Sequence, residues 1–233
     1  MFKQVAFALA LTACGPSIVQ PEGRSLSVNT SLDHYVMERS RTDGEQDLRK
    51  LCTSANLEEA WFYIRTNEGE NWHEVGFDQT KEDGKARIGP LRDLVRNHDH
   101  VTQISLYHQH PYTPGTCENV IKSQTPSSLD DVRTAIMLTE MTYNSDYELA
   151  AKLDFRLVVT SGVYTMKVNM SKLQDVGGRE KAVDILQDML ALRADPRDPL
   201  GYQSADPNSY GERNSRFART FSNDVVKITF TPF

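Results

Sequence analysis

The sequence lacks the marks of several large protein classes. It has no low-complexity tract and no internal repeat. With 39% hydrophobic and 25% charged residues, its composition is ordinary for a soluble globular protein, which argues against global disorder. It has no excess of positive charge: 26 Lys and Arg face 32 Asp and Glu, for a net charge of -6, so no nucleic-acid partner is expected. No apolar run is long enough to span a bilayer, since the run at residues 5–13, VAFALALTA, falls far short of the roughly 20 residues a spanning helix needs. Cysteine is scarce, with three in the chain.

What is present concentrates in residues 101–131, VTQISLYHQHPYTPGTCENVIKSQTPSSLDD. Residues 104–110 read as an extended stretch. Side chains two apart on a strand share a face, so His108 and His110 point the same way and can chelate a single zinc at the strand end. Pro111 cannot continue a central ladder and stops the strand. Further on, Ser127-x-x-Asp130 stands ahead of an apolar helical pattern. A serine there caps a helix, and an acid favours the positive end of its dipole. Asp130 is therefore expected in the first turn, where it could face the histidines.

His-x-His-Pro followed by Pro-Ser-x-x-Asp at a helix start resembles the signature of the JAMM (MPN-plus) zinc metallopeptidases. The resemblance covers residues 57–168. It includes a helix expected over about 128–151 and a strand pair at 155–160 and 163–168 with a turn at Ser161-Gly162. It implies a zinc site of His108, His110 and Asp130 and a general base at Glu59, with Glu58 the near alternative. It also implies that Ser127 hydrogen-bonds the developing oxyanion. Nineteen residues separate His110 from Asp130 (130 − 110 − 1), longer than is usual in the family, and this leaves Asp131 open as the ligand instead. The implied substrate is a peptide or isopeptide amide. The different-class alternative is a catalytically silent MPN-like binding or scaffolding module. A third reading makes the two motifs an ordinary strand end and helix cap.

The N-terminus resembles a bacterial lipoprotein signal: Lys3, a short apolar core, then Leu11-Thr12-Ala13-Cys14, which resembles a lipobox with Cys14 the lipidated residue. Residues 1–13 are thus expected to be a signal peptide and 14–29 a tether rich in Gly, Pro and Ser. A lipid-anchored place in the bacterial cell envelope follows. Gly15 after the cysteine points to the outer membrane if the source is Gram-negative. With Cys14 lipidated, Cys52 and Cys117 remain as an even exported pair, which suggests a disulfide; a zinc-ligand role for Cys117 is its rival.

The remaining chain suits an α/β (α+β) fold: a JAB/MPN-like mixed sheet flanked by helices over 30–168, with a C-terminal helix-loop-strand extension over 169–233 packed on the same domain. Residues 30–55 look mainly helical, 61–64 and 72–77 read as strands, and Asn67-Glu68-Gly69 joins them as a hairpin turn. Residues 79–84 read as a loop and 91–96 as a short helix. His98 and His100 sit in a surface turn, and His34 and His73 are structural. After Gly177-Gly178 a helix starts at Arg179, residues 194–213 read as a long loop, and 225–230 form a closing strand.

Overall fold

Residues of alternating character build one sheet with helices on both faces. The computed structural model describes residues 36–54, 59–74, 100–110, 124–126, 129–193 and 210–233, all within the unit His34–Phe233. Among these are seven strands: β1 (Val36–Glu38), β2 (Glu59–Arg65), β3 (Glu70–Glu74), β4 (Gln103–Gln109), β5 (Leu153–Val159), β6 (Gly162–Val168) and β7 (Val226–Pro232). They pair in the order β1-β3-β2-β4-β5-β6-β7. Every neighbouring pair is antiparallel except β4 with β5, which is parallel. The helices are α1 (Arg41–Ser54), α2 (Leu129–Ser145), α3 (Tyr147–Lys152), α4 (Met170–Asp175), α5 (Arg179–Arg193) and α6 (Tyr210–Phe221). The architecture is the mixed α+β class expected. A parallel neighbour needs a crossover of a dozen residues or more, and α2 and α3 lie in that connection.

The alternation of each strand sorts its side chains between two apolar clusters. On one face, Phe62, Ile104, Leu106, Leu157 and Met166 pack with α2 residues such as Ile136 and Leu138 and with Phe217 and Phe221 of α6. On the other, Tyr63, Trp72, Tyr107, Val158 and Val163 pack with Leu48 and Cys52, which lie four apart on α1 and so share its inner face. A methyl group at Gly44 would stand 2.3 Å from the Trp72 ring, so α1 can approach the sheet only because this position carries no side chain.

A charged cluster ties α1 to β4 and β5. The Arg156 guanidinium donates to both carboxylate oxygens of Asp154 at 2.9 and 3.0 Å, lies 3.5 Å from Glu45 and sits over the Tyr107 ring. Glu45 in turn accepts from the Tyr107 hydroxyl at 2.5 Å and from Arg41 at 2.9 Å. Burial opposes the charge on Arg156, but Asp154 and the other partners outweigh it, and the guanidinium is held charged more firmly than usual.

Several elements differ from the sequence expectation. Residues 36–38 form a strand inside the stretch expected to be helical, because they pair with β3, with Val36 opposite His73. The helix expected over about 128–151 is two helices. Asp146 breaks it by leaving helical geometry and accepting from the Leu149 backbone N–H at 3.0 Å. The segment 170–193 likewise holds two helices, with α5 starting at Arg179 as expected. The loop expected over 194–213 gives way to α6 at Tyr210. Its buried residues Tyr210, Asn214, Phe217, Ala218 and Phe221 follow helical spacing that the surrounding Pro, Asp and Ser conceal.

Cys52 is a free thiol, so the expected Cys52–Cys117 disulfide is not met. It is wholly buried and donates weakly to Leu48 O and Val158 O. The signal peptide, Cys14, the tether, His34, Glu58, strand residues 75–77, the 79–84 loop, the 91–96 helix, His98, Cys117 and Ser127 lie outside the described residues. His100 is an exposed turn residue with φ 56°, and His73 is buried, as its structural reading requires.

Candidate metal centre

The centre forms where β4 ends beside α2. β4 runs buried from Ile104 to Tyr107, then carries His108 at its rim. The parallel ladder continues one step past the strand, since the His110 N–H donates to Val158 O at 3.1 Å. This keeps the backbone extended and turns His108 and His110 to the same face. Their rings stand edge to face with centroids 4.9 Å apart, and Phe155 flanks His108 at 6.4 Å.

Asp131, near the start of α2, meets both histidines. His108 Nδ1 lies 3.3 Å from Asp131 Oδ1, and His110 Nε2 lies 3.5 Å from Asp131 Oδ2. One ligand atom from each of the three residues falls within 4.8 Å of the others. The His108–Asp131 separation is that of a long hydrogen bond, and the His110–Asp131 separation is longer than the usual 2.7–3.2 Å. They match the roughly 3.3–3.4 Å between donor atoms that share a tetrahedral zinc at 2.0–2.1 Å. Asp131 Oδ2 is buried without a hydrogen bond of good geometry, a costly arrangement that a cation would relieve. Burial opposes ionisation of Asp131, but the hydrogen-bonding imidazoles outweigh it and bring its carboxyl down to about 2, so it stays an anionic donor. The residues therefore fit a metal ion: two imidazoles and one carboxylate.

The carboxylate that converges is Asp131, the alternative to the favoured Asp130. Among the described residues it is the Asp131 side chain that reaches the histidines; adjacent positions on a helix differ by about 100° in direction. The cap motif at Ser127 favoured Asp130, whereas α2 begins at Leu129. The Asp130 side chain is outside the described residues. Glu59 opens β2 opposite Gln109, next to the Ala60–His108 pair, which sets its backbone at the same sheet end as the histidines. The Glu59 side chain is likewise outside the described residues.

Sequence reading missed the support of the approach to α2. Gln124 and Thr125 are fully buried, and Gln124 Oε1 accepts from Thr160 Oγ1 at 2.8 Å. A polar pair thirty-six residues apart leaves no local pattern. No protein family, curated protein or solved structure matches this chain.

Proposed function

We propose that the chain is a zinc-dependent metallopeptidase of the JAMM type that hydrolyses a peptide or isopeptide amide. The observation that carries this reading is the convergence of His108, His110 and Asp131. Two imidazoles and a carboxylate are a donor set used by catalytic zinc, with a further position left for an exchangeable ligand. When bound, zinc acidifies water to a pKa of about 7 and polarises a carbonyl. His108, His110 and Asp131 would hold the ion, with the carboxylate supplying a negative charge. Glu59, with Glu58 as the alternative, takes the proton of the attacking water and delivers it to the leaving amine. Ser127 donates a hydrogen bond to the developing oxyanion. Lipidation of Cys14 would tether the enzyme to the membrane of the bacterial envelope and make envelope proteins or peptides its substrates.

Metal analysis of the purified protein tests the reading. The expected result is one zinc per chain, lost in His108→Ala, together with amide hydrolysis that disappears in Glu59→Gln or Glu58→Gln while zinc is retained. Absence of zinc under metal-replete conditions overturns it and favours a silent binding module.

A further inference from the structure

The turn between β5 and β6 is gripped from several elements at once. Arg49 of α1 donates through Nε to Thr160 O at 3.2 Å. Asn214 of α6, fully buried, donates through Nδ2 to Ser161 Oγ at 2.9 Å. The Phe233 N–H, just past β7, donates to Ser161 O at 3.2 Å, and the Arg49 guanidinium stacks over the Phe233 ring at 4.7 Å. The strand leading into this turn bonds His110, and the turn bonds Gln124, seven positions ahead of Asp131 (131 − 124). Val158 O receives the His110 N–H, and two residues on, the Thr160 hydroxyl donates to Gln124.

We infer that the Thr160–Ser161 turn is a brace that sets the start of α2, and with it Asp131, against His108 and His110, and that Thr160 is a positioning residue acting through Gln124. The inference rests on the reading of those three residues as a metal centre. Its physical basis is the way the ligands are supplied. The histidines are fixed to the sheet by the β4–β5 ladder, whereas Asp131 comes from a helix whose lead-in must be aligned with that ladder. Gln124 is a fully buried amide on that lead-in, and the Thr160 hydroxyl ties it to the strand that also holds His110. Polar partners that orient metal ligands without touching the metal typically change affinity by 10–100-fold.

The test is zinc affinity of the full chain by chelator competition, with the absorption bands of the cobalt-substituted protein as a report on ligand geometry. Thr160→Val is expected to weaken zinc about tenfold and to alter the cobalt bands. Thr160→Ser, which keeps the hydroxyl, binds as the parent does. Gln124→Met, which removes the whole side-chain amide at similar volume, weakens zinc at least as much as Thr160→Val and decides the matter if that variant does not fold. Zinc binding that requires His108 but is indifferent to loss of the Thr160 hydroxyl or the Gln124 acceptor overturns the brace alone. Equal weakening in Thr160→Val and Thr160→Ser also overturns it. A parent chain that binds no zinc, or binds it undiminished in His108→Ala, overturns the metal centre and the brace together.

Discussion

Tyr107 and His108 are consecutive residues that serve opposite faces of the sheet. The Tyr107 hydroxyl donates to Glu45 on the α1 side, while His108 Nδ1 lies 3.3 Å from Asp131 on the α2 side. Strand alternation alone separates them. The strand that carries the two candidate ligand histidines is therefore fixed from behind by a buried polar cluster, and substitutions on either face read out separately.

Asp131→Asn is expected to abolish stoichiometric zinc binding, whereas Asp130→Asn retains it. Titration with a zinc indicator distinguishes the two. Binding that survives Asp131→Asn and fails in Asp130→Asn would return the ligand role to Asp130.

Arg156→Ala should be among the most destabilising substitutions on the α1 face. It leaves the Asp154 carboxylate, with a side chain 2% exposed, without its bidentate partner. Removing one member of a buried ion pair costs about 3–5 kcal/mol. Urea denaturation measures this, and a loss below about 1 kcal/mol would show that the pair is relaxed by solvent.

The Cys52 thiol should be inert in the folded protein. Burial pushes it up to about 12, so almost none is thiolate at pH 8. The unfolded thiol ionises near 8.5. Because the folded value is raised, the associated stability is fully present below about 8.5 and is lost as pH rises toward 12. Peptide mapping after alkylation should find Cys52 unmodified under native conditions and fully modified in urea. Recovery of a Cys52–Cys117 peptide without reduction would contradict the free thiol.

Gly162→Ala should loosen the β6–β7 pair. Its new methyl would fall 2.3 Å from Thr231 O and 2.9 Å from Pro232 Cα, backbone atoms that cannot swing away. A cost of about 1–3 kcal/mol is expected. Gly69→Ala, with nothing within 4 Å, serves as the control in thermal unfolding. Equal midpoints for the two variants would refute the close-contact argument.

Much of the sheet was legible because its strands carry strong β-formers in alternation. This held for the residues around Phe62, for the histidine strand and for the β5–β6 pair. It failed where the evidence is non-local. Val36–Glu38 is strand because β3 offers it a ladder, which no propensity announces. Cys52 read as half of a disulfide by parity, although its spacing from Leu48 marks an inward helical face. At the centre, the i, i+2 histidines were plain from the sequence. The choice between two adjacent acids depended on where a helix starts, a boundary that a cap motif locates only to within a residue or two.

The order of the chain gives the brace a temporal consequence. His108 and Asp131 lie 23 positions apart (131 − 108), but Gly162 pairs with Pro232, 70 positions later (232 − 162), and Asn214 reaches back to Ser161. As the chain emerges from its N-terminal end, the candidate ligand side chains appear well before the residues that steady the turn behind them. On the proposed reading, a chain that has folded β4 and α2 but not yet added β7 lacks the grip on the turn, and tight metal loading is expected only once the last strand joins the sheet.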